Sequence, residues 1–265
     1  RDTDRSRGLG DVYKRQGMSY QDLAEKLQNP DISHKKVKVT IPEGYTVFDI
    51  ASTLEKKNVC SAKDFLKACS TTEGYDYDWL ADFPKNDPHV GYILEGFLFP
   101  ATYDFGENSK ATDIADAMLE AFDQRITDEV KTYCKQRGYT LYQFVTLCSI
   151  VQKEALSKSS QGNIASTLEN RLDKGMKIEC DVTYYYAKAL RDHGFSQSVY
   201  DAYYTYRCPG LPAGPIANPG TEIMTATVEH PSTDYLYFFS DLKGDFHFAA
   251  TYGEFESLKA KYPWK

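Results

Sequence analysis

No stretch of the sequence approaches the roughly 18 to 20 unbroken apolar residues that a membrane-spanning helix requires, and no leader with a charged start and an apolar middle opens it. Neither an anchor nor an export signal is expected within it. Excess positive charge is also missing: 31 Lys and Arg stand against 38 Asp and Glu, a formal charge of −7 with a pI near 5.3. Nucleic-acid binders present a basic face, so nucleic acid is excluded as a partner and a polyanionic ligand is disfavoured. The six cysteines (Cys60, Cys69, Cys134, Cys148, Cys180, Cys208) contain no CxxC pair and no ligand-like spacing, which argues against zinc. Cys134 and Cys148 fall in helix-like runs where buried thiols are ordinary, so mostly free thiols are expected. The five histidines (His34, His89, His193, His230, His247) form no HExxH, and there is no GxSxG elbow, Walker loop or GxGxxG. No metal and no cofactor is therefore expected. Internal repeats and low-complexity tracts are absent as well.

What is present suits a globular fold. A hydrophobic content of 42% over 265 residues is enough for a packed core. The 21 Tyr and 14 Phe fit a core first and a sugar-binding groove second, because aromatic rings with polar tips serve both. Residues 1–16, RDTDRSRGLGDVYKRQ, are half charged and show no apolar period. They read as a non-native segment of the vector or adapter type. They carry five positive and three negative charges, so the remainder stands at −9.

Along the chain, Leu23 and Leu27 behind Ser19 predict a short helix over 19–28. VKVTI (37–41) alternates as a strand. Thr46 can cap a helix burying Val47, Ile50, Ala51 and Leu54, and Ser61 can start another. ATYDF (101–105) is the candidate closing strand, beyond an Asp- and Pro-rich loop at 76–89. From Lys110 to Gly138 the pattern is helical, with Ile114, Ala117, Met118, Ala121 and Phe122 on one stripe. Thr140 opens a further helix, and Gln161 to Gly175 reads as the next. After Gly175, loop and strand are expected. The rigid segment CPGLPAGPIANPG (208–220) is a turn or a groove wall, its prolines removing the donors that a phosphate cradle needs. YLYFFS (235–240) and FHFAAT (246–251) predict a β-hairpin, with Tyr235, Tyr237 and Phe239 on one face.

One short stretch, SIVQKEA (149–155), ends an apolar helical run with an amide, Gln152, two positions before a carboxylate, Glu154. At about 100° per residue the two side chains point roughly 200° apart and do not share one small pocket. Glu154 lies in line with Ile150, at the C-terminal end of the helix. Unfavourable dipole charge and partial burial there both raise a carboxyl pKa, as a general acid requires. The alternative is a surface residue paired with Lys158 at i, i+4.

EGFLFPATYDF (95–105), SIVQKEA (149–155), NRL (170–172), CDVTYYY (180–186) and YYTYRCPGLPAGPIANPG (203–220) occur in the order seen in bacterial endolytic murein transglycosylases, and the chain resembles that MltG/YceG-like family from about Gly17 onward. VTIPEGYTVFDIASTL (39–54) is similar to the start of its LysM-like subdomain. The resemblance implies an α+β fold in which a LysM-like module (strand, helix, helix, strand; 36–107) packs on a mixed helical and β-hairpin catalytic region (108–265), with 17–35 as the remnant of a longer N-terminal region. It places the catalytic acid on Glu154, with Gln152 at a variable position of the motif. Glu95, Gln152, Arg171, Asp181, Tyr203, Tyr206 and Asn218 become candidates for the substrate groove or its scaffold, with Arg171 and Asp181 alternatively a simple ion pair. Tyr204 stands where the family usually has Asn.

The implied reaction cleaves the MurNAc–GlcNAc bond of nascent peptidoglycan to leave 1,6-anhydro-MurNAc ends, with glycan strands as substrate and peptidoglycan synthases (penicillin-binding proteins) as further partners. The implied location is the extracytoplasmic face of the cell membrane, on an anchor that belongs to the full-length protein and not to this chain. Two other readings stay open: a LysM-like scaffold without turnover, and a hydrolytic muramidase with Asp181 as base.

Overall fold

The structure is a computed structural model that describes residues 36–155 and 157–264; the segments 1–16 and 17–35, including the helix expected over 19–28, lie outside the described residues. Among the described residues, ten α-helices and two two-stranded sheets give the expected α+β class. No helix among them is long and apolar enough to cross a membrane.

The strand β1 (Lys36–Thr40) alternates as its sequence does, turning Val39 into the core. Thr46 caps α1 (Val47–Lys56): its hydroxyl accepts the Asp49 N–H, and the Asp49 carboxylate accepts the Thr46 N–H at 2.9 Å. Val47, Ile50, Ala51 and Leu54 are buried, as their spacing predicts. Ser61 caps α2 (Ala62–Ala68), which buries Phe65. After a 3-10 turn at Asp78–Asp82, the chain returns as β2 (Thr102–Gly106) and pairs with β1. The Ile41 N–H donates to Ala101 O at 2.8 Å beside them. The closing strand is thus where the alternation put it.

The single helical run expected over Lys110 to Gly138 is two helices, α3 (Ala111–Asp123) and α4 (Asp128–Arg137). Thr127 makes the break, because its extended backbone lets its side chain accept the Val130 N–H, and Asp128 and Glu129 then favour a new helix N-terminus. Next come α5 (Leu141–Glu154), with Thr140 and Gln143 forming its capping box, and α6 (Lys158–Asp173), which starts three residues before the expected Gln161. Every residue of α5 from Phe144 to Val151 is buried. It is the central helix, packed against α4, α6 and two of the helices that follow.

Beyond Gly175 the expectation of loop and strand holds for the proline-rich segment and the hairpin, but four helices were not expected. The chain forms α7 (Asp181–Asp192), α8 (Gln197–Tyr203) and α9 (Thr221–Val228), and α10 (Tyr252–Lys261) follows the hairpin. The Tyr- and Val-rich start of α7 favours a strand by composition, yet its buried Thr183, Tyr186, Ala187 and Leu190 are spaced i, i+3, i+4, i+7. Burial on the helical period wins over composition. The proline-rich segment before α9 lies across α5, where the Ile216 N–H donates to Ser149 Oγ at 3.0 Å. It is a structural brace.

The expected hairpin is present as β3 (Tyr237–Ser240) and β4 (Phe246–Ala249), antiparallel with Phe239 opposite His247. Tyr237 and Phe239 share a face, both meeting Phe255 of α10 at ring-centroid distances of 5.4 and 5.7 Å. Tyr235 does not join them. It precedes the strand and stacks on Phe248 at 5.4 Å, on the side occupied by Phe238. All six cysteines are free, as expected.

Candidate functional site

Glu154 is the last residue of α5, at the point where this buried helix emerges; Gln152 and Glu154 are partly buried and Lys153 is exposed. Around Glu154 opens a cleft of about 560 Å³. Arg171 of α6, the 178–181 turn into α7, Tyr206 after α8, and the aromatic side chains of the hairpin and α10 line it. Tyr206, Tyr252 and Trp264, all on this cleft, are among the exposed large hydrophobic residues of the chain, at 40%, 60% and 47% exposure. Rings held open to water in a concave surface are suited to packing on the apolar faces of sugars.

Burial, first of all, pushes the Glu154 carboxyl up to about 7; the negative charge of Asp181 acts in the same direction, while the Cys180 thiol and the Val182 N–H oppose it. Near neutrality Glu154 can therefore both give and take a proton. Its alternative role as a surface partner of Lys158 is not what the fold provides, since Lys158 Nζ lies 3.2 Å from Glu222.

The turn that faces Glu154 is under tension. Glu179 holds φ at 54°, a left-handed conformation unusual for a non-glycine residue. Arg171 holds it there: Nε donates to Lys177 O at 2.8 Å, Nη1 to Leu236 O at 3.0 Å, and Nη2 binds Glu179 Oε2. The alternative of a simple Arg171–Asp181 ion pair is not realised, because Arg171 pairs with Glu179. Asp181 instead accepts from the Tyr206 hydroxyl at 3.1 Å.

Of the residues expected in the site, Glu154, Arg171, Asp181 and Tyr206 meet at the cleft, and Glu95, Gln152, Tyr203 and Asn218 do not line it. Glu95 and Asn218 are fully buried. The Val47 N–H donates to Glu95 Oε2 at 2.8 Å, and Asn218 Nδ2 donates to Glu95 Oε1 at 2.8 Å and to Tyr45 O at 2.9 Å. Asn218 Oδ1 accepts the Leu98 N–H at 2.8 Å. The pair therefore clamps α1, the 95–98 turn and the proline-rich segment together, and burial pushes the Glu95 carboxyl up to about 7. Tyr203 is buried, its hydroxyl accepting the Gly91 N–H at 3.2 Å. Gln152 accepts the Gly220 N–H at 3.0 Å, on another side of α5 from the cleft, as the helical angle predicts.

Sequence reasoning missed Glu179, Cys180 and the aromatic wall. The hairpin aromatics were visible as a strand pattern, but nothing local told which helix end they would face. Tyr204, the departure from the family pattern, packs against Tyr184, Tyr200 and Tyr206 at 5.3 to 5.8 Å, so it buttresses a residue of the cleft from behind.

Comparison with known proteins places the chain among relatives of one family. An endolytic murein transglycosylase of Bacillus subtilis is 29% identical over 263 residues, covering 96% of this chain and 72% of that protein. One from Streptococcus pneumoniae is 28% identical, covering 91% of this chain and 47% of its own length, so the chain spans about half of that relative. The crystal structure of a YceG-like protein from Listeria monocytogenes superposes with a TM-score of 0.69 at 31% identity, covering 91% of this chain and 82% of that one. The profile of the YceG-like family matches residues 10–261, beginning inside the segment 1–16 and taking in every residue of the cleft but Trp264, and the chain belongs to the YceG-like family.

Proposed function

We propose that this chain is an endolytic lytic transglycosylase that cleaves the MurNAc–GlcNAc bond of peptidoglycan with Glu154 as its single acid and base. The observation that carries the reading is the Glu154 carboxyl, raised to about 7 at the mouth of an aromatic-lined cleft, in a family whose relatives bear that activity in their names. In the first step the Glu154 proton passes to the glycosidic oxygen as its bond to C1 breaks. In the second the Glu154 carboxylate takes the proton of the C6 hydroxyl as O6 bonds to C1. The sugar then carries a 1,6-anhydro ring, and Glu154 has its proton back. Because the nucleophile belongs to the substrate, its effective concentration is high and no activated water is needed.

The region 36–107 serves in this reading as a LysM-like glycan-binding module and 108–265 as the catalytic region. The support is the strand, helix, helix, strand order ending in the β1–β2 pair. The full-length protein acts at the extracytoplasmic face of the membrane, where nascent peptidoglycan is found, beside peptidoglycan synthases. Arg171, Asp181 and Tyr206 shape the substrate groove, and Glu95, Gln152, Tyr203 and Asn218 hold its scaffold.

A second carboxylate, Asp181, on the same cleft favours one competing reading, hydrolysis with Asp181 as base. Mass spectrometry of the products from purified glycan strands separates the two: anhydro ends are expected, and reducing ends would mean a hydrolase. Binding without cleavage would mean a scaffold. Gln152→Glu retains an oxygen toward the Gly220 N–H, so cleavage by this variant is expected within about threefold of the parent. A tenfold change in either direction would bring Gln152 into the chemistry.

A further inference from the structure

Three consecutive residues at the start of α7 act on Glu154 in opposite senses. The Cys180 thiol and the Val182 N–H stabilise its carboxylate form, and the Asp181 charge between them disfavours it. Asp181 is free to do so because Arg171, a cation of the cleft wall, is committed to Glu179 and two backbone carbonyls. The partner of Asp181 is a neutral phenol instead, the Tyr206 hydroxyl at 3.1 Å. Burial and the Asp181 charge push that hydroxyl well above its ordinary range, so it stays a donor.

Resting on the transglycosylase reading, we propose that the Tyr206–Asp181 pair is a positioning element of the reaction, fixing a negative charge beside Glu154 so that the proton stays on Glu154 until a glycosidic oxygen takes it. The remaining titratable groups on the cleft do not supply this charge. Lys153 Nζ reaches away to Gly44 O at 3.2 Å, Glu179 is neutralised by Arg171, and burial keeps the Cys180 thiol protonated. Tyr237 lies with its ring against the Arg171 guanidinium at 5.7 Å, and Tyr252 packs ring-to-ring on it at 5.8 Å. The pair also helps the second half of the reaction. Once Glu154 has given its proton to the leaving oxygen, the cleft holds two carboxylates, and their repulsion favours return of a proton from the C6 hydroxyl.

The pH profile of kcat/KM on purified glycan strands, measured with the full chain, tests this. Asp181→Asn should move the descending, basic limb to lower pH, so that the ratio of cleavage at about pH 8 to cleavage at about pH 5.5 falls roughly three- to tenfold. Asp181→Glu should return the limb toward its place, and Tyr206→Phe should displace it in the same direction by less. Tyr206→Phe also stands in for Asp181→Asn should the latter fail to fold by circular dichroism. A loss that is equal at every pH, or an unmoved limb in a folded variant, overturns the proposal. An active Glu154→Gln enzyme would instead overturn the transglycosylase reading itself, so the two failures are distinct.

Discussion

Glu154→Gln is expected to lower glycan cleavage by about 10² to 10⁴-fold, the usual worth of a general acid–base group, with glycan binding largely kept. Glutamine preserves the shape of the side chain at the end of α5 and removes the proton that the reaction passes out and back. In the parent the acid form starts the reaction, so kcat/KM should descend as pH rises past about 7. The same group predicts a stability effect of opposite sense. A carboxyl whose pKa is raised on folding, from 4.5 to about 7, makes the folded chain bind more protons than the unfolded one between those values. Its contribution is present below the unfolded value and is lost as pH rises through about 7. Glu154→Gln should therefore melt at or above the parent temperature at about pH 8 while being nearly inactive, a combination typical of a residue kept for chemistry. Thermal unfolding at two pH values together with a cleavage assay checks both halves. Full activity in the variant would remove Glu154 from the reaction.

Gly96→Ala is expected to destabilise the fold by about 3 kcal/mol or more, through backbone strain and overpacking together. Gly96 sits at φ +88°, and a Cβ there would fall 2.5 Å from Pro215 Cβ and 2.9 Å from Val145 Cγ1. Neither contact can relax cheaply, since Pro215 belongs to the rigid brace across α5 and Val145 is fully buried on α5 itself. Gly74 provides the comparison. It has the same φ of +88° but nothing within 4 Å of the added atom, so Gly74→Ala should show the backbone strain alone, about 1 kcal/mol. Denaturant unfolding of both variants separates packing from strain. Equal losses would mean that the proline-rich segment does not press on the 95–98 turn. Because this turn also carries Glu95, the clamp with Asn218 and the orientation of α1 should loosen in Gly96→Ala.

The sequence by itself determined the features whose causes lie within a few residues. Thr46, Ser61 and Thr140 cap helices because a side-chain oxygen reaches an N–H three positions on, and the β1 alternation and the β3–β4 hairpin depend only on the period and the turn between strands. The 200° between Gln152 and Glu154 is likewise a property of one helix, and it already separated the two side chains. Thr127 and the i, i+3, i+4, i+7 spacing within α7 were legible too, but a long apolar stripe and a Tyr-rich composition outweighed them. Only the tertiary structure decided which groups meet. Arg171 turned from Asp181 to Glu179 because the 177–179 turn brings a carbonyl and a carboxylate to one guanidinium, while Asp181 faces Tyr206 from 25 residues away. Glu95 and Asn218, 123 positions apart, became a buried clamp, since the fold brings the amide N–H of one to the carboxylate of the other. Glu154 was one carboxylate among many along the chain. Burial at the end of α5, the start of α7 and a wall of rings from the hairpin make it different, and all three come from segments distant in sequence whose meeting no local pattern encodes.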